Sequence, residues 1–336
     1  MSNATRTAVM LMAYGTPRTK DEILPYYTDI RRGRAPTDEQ LNDLIKRYEA
    51  IGGLSPLKQL TEAQRDALQE QLELLQPGHY QVFLGLKHAT PFIEESVAEV
   101  AALGFKKIVC LVLAPHYSTY SIGQYTDRVR AAAAPHNIEV RAVETWARED
   151  AFIDFLAADM RTQLSKMPER TKILFTAHSL PQRIIDAGDP YPEELRATAE
   201  LVASKASLTR WSQWSIAWQS AGRTPEPWIG PDILAVIDQL ATMRDTDESV
   251  DGIVVCACGF VADHLEVLYD LDIEASQHAA SYGMAFARTA CVNNDALVMG
   301  RLLIELCLHE RSPSGSSNWR WCLRTHQRTH CADTFI

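Results

Sequence analysis

The sequence has no apolar run able to cross a membrane, which takes about 18 or more consecutive apolar residues. Ile108 to Thr126 carries no Lys, Arg, Asp or Glu, yet beyond Ala114 it turns to Pro, His, Tyr, Ser, Thr and Gln. The apolar run Gly252–Ala262 is shorter still. Each reads as a buried strand and its turn. The opening residues, Met-Ser-Asn-Ala-Thr-Arg-Thr, lack the apolar stretch and small-residue cleavage site of a signal peptide, so a cytoplasmic protein is expected. Positive charge is not in excess either. Lys plus Arg is 33 against 43 for Asp plus Glu, a net charge of −10, which argues against non-specific nucleic-acid binding. A local basic pocket remains compatible with it. There is no Gly-x-Gly-x-x-Gly and no Walker-type Gly-Lys-Ser/Thr, so dinucleotide and P-loop readings lose their main support. The 7 cysteines are odd in number, and a cytosolic chain is not expected to use a disulfide framework. Cys110, Cys256 and Cys258 sit in apolar runs, where a thiol acts as a small buried hydrophobe.

What is present is an alternation. The 336 residues are 46 % hydrophobic and 23 % charged, enough for about two globular domains. Strands are predicted at Ala8–Tyr14, Tyr80–Gly85, Lys107–Ala114, Ile138–Glu144, Lys172–Ala177, Gln213–Trp218 and Gly252–Cys258. Helical patterns run over Lys20–Arg31, Thr37–Ile51, Leu60–Leu75, Phe92–Leu103, Glu149–Ser165, Tyr191–Ala206, Ile233–Arg244 and Asn294–Leu308. Several strands are continuous β-branched and Leu runs, as burial on both faces requires. Strand then helix, repeated, predicts a doubly wound α/β fold with parallel sheets. The polar stretch near Ser165–Thr171 divides the chain. The expected units are 1–167, 168–310, and a tail over 311–336 that is rich in Ser, Arg and Thr, without apolar period, and expected to be disordered.

Polar residues fall where strands should stop, the usual ligand position in such sheets. Tyr14 stands at the tip of the first strand, where a phenol can ligate iron or simply pack on the sheet. Arg31, Arg32 and Arg34 surround Gly33 at a helix end, which suits either a carboxylate site or a solvated helix terminus. Pro115 to Ser121 offers hydroxyls and aromatics to a flat ligand, or an ordinary helix start capped by Ser118 or Ser121. His178 follows a buried strand directly and suits proton transfer or metal contact, although a lone His is more often structural. Farther on, Glu266, Asp270 and Glu274 recur at i, i+4 and i+8, which on one helix puts three carboxylates on one face with no base among them. Such a row attracts a divalent cation, or is a plain acidic surface.

Taken in order, a set of segments resembles the ferrochelatases. They are Ala13–Pro17, Tyr48–Leu57, Gly85–His88, Ala114–His116, Ala177–Pro181, Trp218–Ser220 with Pro227–Pro231, and Gly259–Glu266. The resemblance covers about Thr7 to Leu308, and each motif is weak alone while the ordered combination is highly specific. The Tyr14 turn and the Arg31 helix end are most similar to the coproporphyrin ferrochelatases of monoderm bacteria. The resemblance implies two Rossmann-like domains with a porphyrin in the cleft between them. It also implies a lyase that inserts Fe2+, its substrate metal, into coproporphyrin III on the route to haem. A protoporphyrin IX ferrochelatase and a non-catalytic tetrapyrrole carrier are the alternatives. The family's coproporphyrin branch implies a monomer.

The same resemblance implies roles. His178, neutral near pH 7, would accept protons or contact the metal, with Glu266 as its anionic partner. Asp270 and Glu274 would continue outward as a path for metal entry or proton exit. Tyr14 would bind the inserted iron axially from the other side, and Arg31, Arg47, Tyr48, Ser55 and Tyr125 would hold the macrocycle and its propionates. Two departures stand out. Cys256 and Cys258 replace expected apolar residues, and the chain beyond Glu310 has no counterpart in the short coproporphyrin enzymes. Cys307, Cys322 and Cys331 invite a [2Fe–2S] cluster, which the absent fourth ligand and loose spacing make unlikely. A zinc site from Cys322, His326, His330 and Cys331 is compatible with composition alone.

Overall fold

A computed structural model describes residues 6–208, 213–243, 249–295 and 298–300. Eight strands form two four-stranded sheets, each wholly parallel. The first sheet has the order β2-β1-β3-β4, from β1 (Thr7–Ala13), β2 (Tyr80–Leu86), β3 (Lys107–Val112) and β4 (Glu139–Val143). The second has the order β6-β5-β7-β8, from β5 (Thr171–His178), β6 (Trp214–Gln219), β7 (Gly252–Cys256) and β8 (Ala285–Arg288). β1 and β7 are buried at every position, as strands covered by helices on both faces must be.

Helices link the strands. They are α1 (Ile23–Ile30), α2 (Asp38–Ala50), α3 (Leu57–Leu75), α4 (Ile93–Ala102), α5 (Gln124–Ala133), α6 (Asp150–Leu164), α7 (Gln182–Asp186), α8 (Tyr191–Lys205), α9 (Ile233–Thr242), α10 (Leu265–Leu268) and α11 (Ser276–Ser281). α2 starts at a full capping box, Thr37 with Gln40. α6 packs on α8 and on β7 and β8. One apolar core joins the sheets, running from Val9, Leu11 and Leu111 through Phe152 and Leu156 of α6 and Leu195 of α8 to Phe175 and Val254.

The predicted fold class holds, with local differences. β8 is a short, half-buried edge strand, too brief for an alternation to show. α5 follows the hydroxyl-rich stretch after Pro115, and Ser118 indeed caps a π-turn, Thr119–Gly123, that feeds it. The expected helix Asn294–Leu308 lies mostly outside the described residues, as do Cys307, Cys322, Cys331 and the tail over 311–336. Cys110, Cys256, Cys258 and Cys291 are buried free thiols. Among the described residues no helix is long and apolar enough to cross a membrane.

Candidate active site

The site lies where β1, β5 and β7 end. β5 delivers His178 at its last position, and the turn after β7 delivers Glu266 beside it. That approach depends on Gly259: a Cβ there would sit 2.4 Å from the Cβ of Ala177. His178 Nδ1 donates to the carbonyl of Ser179 at 2.5 Å, which leaves Nε2 aimed at Glu266, 3.6 Å away. The second oxygen of Glu266 meets His264 Nε2 at 3.3 Å, while His264 Nδ1 donates to the carbonyl of Ala262. Gln219, at the end of β6, donates to the backbone carbonyl of Glu266 at 3.0 Å and fixes the turn.

The expectation of a neutral His178 is corrected. Burial disfavours the charged imidazole, but the Glu266 carboxylate and the Ser179 carbonyl outweigh it and raise the pKa to about 9. Burial likewise opposes ionisation of Glu266, yet His178 and His264 hold its carboxyl well below the ordinary range. The pair is therefore an imidazolium and a carboxylate at neutral pH. Two of its members were expected from sequence. His264 was not, although it stands in the same motif, two residues before Glu266.

The carboxylate row differs from the single helix face expected. α10 ends at Leu268, and Asp270–Ala275 is a π-turn segment, so Glu266 and Asp270 occupy different helical windings. Nor is the row free of bases. Arg47 of α2 reaches across the cleft and places Nη1 3.3 Å from Asp270, with its guanidinium carbon 4.7 Å above the ring of Tyr269. Ser220 donates a short hydrogen bond to the other oxygen of Asp270. Burial together with the charges of Glu266 and Glu274 raises the pKa of Asp270 to about 6, against the Ser220 and Arg47 contacts. These cross-chain partners leave no periodic trace in sequence, since Arg47 and Asp270 are 223 positions apart.

The opposite wall comes from the first half. Tyr14 leaves β1 and remains 41 % exposed to the cleft, with its ring 4.5 Å from His88 and 6.5 Å from Tyr26. Desolvation by the cleft walls, reinforced by the charge of Glu266, pushes its phenol well above the ordinary range. Burial raises Tyr26 and Tyr48 as well, and the charge of Glu266 adds to it. Tyr48 is buried and pushed up to about 12. Tyr125 is buried on α5, with Lys87 Nζ 5.1 Å above its ring. Burial lowers Lys87 to about 8, helped by Arg128 and Arg32. Ser55 is buried, and its hydroxyl accepts from the amide of Leu57 at the start of α3.

Arg31 ends α1 with its guanidinium carbon 5.6 Å above Tyr27 and its Nε on the carbonyl of Arg34. Among the described residues no carboxylate pairs with Arg31, Arg32 or Arg34. Arg47 differs: it already holds Asp270, and its Nε lies 3.3 Å from Asp43. Among the described residues no three His, Cys, Asp or Glu side chains form a group able to hold a metal ion.

Two solved structures share the fold. SirB from Bacillus subtilis with Fe3+ aligns at a TM-score of 0.52 with 11 % identity, covering 90 % of this chain and 94 % of that one. The sirohydrochlorin chelatase SirB from Bacillus subtilis subspecies spizizenii with cobalt aligns at 0.51 with 10 % identity, covering 93 % and 98 %. Sequence relatives are much nearer. The coproporphyrin III ferrochelatase of Halalkalibacterium halodurans is 42 % identical over 86 % of this chain and 92 % of its own length. That of Geobacillus kaustophilus is 43 % identical over 88 % and 93 %. The ferrochelatase of Herpetosiphon aurantiacus is 41 % identical over 86 % and 94 %. The profile of the family described as ferrochelatase matches residues 6–310, and the chain belongs to the ferrochelatase family.

Proposed function

We propose that this chain inserts Fe2+ into coproporphyrin III, giving Fe-coproporphyrin III. The observation that carries the reading is the His178–Glu266 pair facing Tyr14 across one cleft. The name shared by the Halalkalibacterium and Geobacillus relatives supports the choice of porphyrin. The unpaired guanidinium groups of Arg31, Arg32 and Arg34 offer bidentate donors to propionates at the rim, which suits a substrate with four carboxylates.

Insertion releases two pyrrole protons and strips water from the metal. As a dication approaches, like charge disfavours the imidazolium, so His178 sheds its proton outward by way of Glu266 and becomes a base. Its Nε2 then takes the two pyrrole protons one after the other, each passed on through Glu266 before the next is taken. Asp270, near pKa 6, is matched to pass protons outward at neutral pH, with Glu274 beyond it. Tyr14 contacts the product iron from the other wall. Tyr48, Ser55 and Tyr125 contribute to the macrocycle pocket, and Arg47 turns from Asp270 to a propionate when substrate enters. The protein acts as a cytoplasmic monomer whose boundary between units falls near 167.

The test is anaerobic Fe2+ with coproporphyrin III and, in parallel, protoporphyrin IX, followed by absorbance. Metallation of coproporphyrin III at the higher rate is expected. Faster metallation of protoporphyrin IX moves the assignment to that substrate, and insertion into neither removes the lyase reading.

A further inference from the structure

Away from the reacting groups, one buried carboxylate joins the two walls of the cleft. Asp189 lies just before α8 and is 6 % exposed. Its Oδ2 accepts three hydrogen bonds from the first half, from Ser118 Oγ at 3.2 Å, Thr119 N at 2.7 Å and Thr119 Oγ1 at 2.6 Å. Its Oδ1 accepts from Tyr191 N at 3.1 Å, at the start of α8. Among the described residues no cation pairs with it. A buried carboxylate held only by neutral donors is costly to retain for stability alone.

What those donors carry is informative. Ser118 caps the π-turn Thr119–Gly123, accepting from Tyr120 N at 3.1 Å, and that turn sets where Tyr120 and Tyr125 stand. Both tyrosines neighbour the phenol of Tyr14 closely enough to influence its ionisation. Tyr191 donates its hydroxyl to the backbone carbonyl of His178 at 3.2 Å. A second contact runs parallel: Arg183 of α7 lies 5.4 Å above the ring of Tyr120 while pairing with Glu226.

We propose that Asp189 is a positioning residue, which sets the spacing between the Tyr120–Tyr125 wall and His178 by holding Thr119 and Tyr191 at once. It touches neither porphyrin nor metal. This rests on the function proposed above, and binding separates the two. Coproporphyrin III binding, read by quenching of porphyrin fluorescence, needs no chemistry.

Asp189→Asn should raise the dissociation constant for coproporphyrin III about tenfold, as loss of a hydrogen bond to a charged group does. Its kcat should fall by about threefold or more, because the base is displaced. The two arms are separable. Thr119→Val should weaken porphyrin binding with kcat unchanged, and Tyr191→Phe should lower kcat with binding unchanged. A merely structural Asp189 would lower the melting temperature of all three while leaving binding and kcat at wild-type values well below the melt, and that result overturns the proposal. If Asp189→Asn does not fold, Thr119→Val, which removes one of its donors, decides: wild-type porphyrin binding in that variant overturns the proposal. Failure of the wild type to insert iron, with tight and Thr119-dependent binding, instead overturns the assigned reaction.

Discussion

Two histidines on opposite walls end in opposite charge states, and the more exposed of them is the one held charged. His88, beside Tyr14, donates Nδ1 to Asp29 at 2.6 Å, yet burial, with Lys87 and Arg128 nearby, lowers its pKa to about 4. His178 has its carboxylate farther off, at 3.6 Å, and is raised to about 9. Distance to the partner does not decide the outcome. The two carboxylates are similarly exposed, Asp29 at 46 % and Glu266 at 37 %, so the neighbours decide: Lys87 and Arg128 stand near His88, whereas His178 has the Ser179 carbonyl and a second carboxylate, Asp270. Nearby cations disfavour an imidazolium, and nearby carboxylates favour it. His88 is thus neutral at pH 7, while His178 and Glu266 carry separated charges.

The sharpest way to break this contrast is His178→Ala. Insertion should fall by about 10²-fold or more, the usual share of a positioned base, while coproporphyrin III binding persists. Activity near wild type would make His178 structural. Glu266→Gln should come next. Its removal leaves burial as the main influence on His178, so the imidazole should titrate below its ordinary 6.5. For the wild type, the Fe2+ insertion rate should rise from pH 7 toward a limb near 9, as His178 loses its proton. In Glu266→Gln that limb should vanish from the alkaline range. A limb unmoved by the substitution would show that Glu266 does not govern His178.

The same shift has a stability consequence with a defined sign. Because folding raises the pKa of His178, its ion pair stabilises fully below pH 6.5 and less as pH climbs through about 9. The Glu266 side of the pair holds above its ordinary 4.5 and weakens only in strong acid. A third, smaller effect is expected at the rim. Arg31→Ala should raise KM for coproporphyrin III about tenfold at constant kcat, since a propionate loses a charged donor. The smallest effect belongs to His88→Ala, under about threefold in rate, because no charge is lost at pH 7. A loss as deep as that of His178→Ala would erase the distinction between the walls.

Legibility followed the range of the forces. Buried parallel strands announce themselves as unbroken apolar runs, and β1, β3, β5 and β7 were readable to within two residues at each end. The four half-buried residues of β8 gave no such signal. His178 and Glu266 each showed a suggestive position, but only the resemblance joined them, since nothing local links the ends of β5 and β7. The charge of His178 depends on which groups the fold gathers around it, Glu266, Ser179 and Asp270, and no local pattern records that meeting. Arg47 on Asp270 and Asp189 under Thr119 are meetings of distant segments, invisible before the chain is folded.

The apolar core that runs from Val9 to Val254 without interruption has a mechanical meaning. The two sheets share a footing: α6 and α8, packed on the second sheet, belong to the same apolar core as Val9 and Leu11 of the first, so a void opened in that core is felt by both.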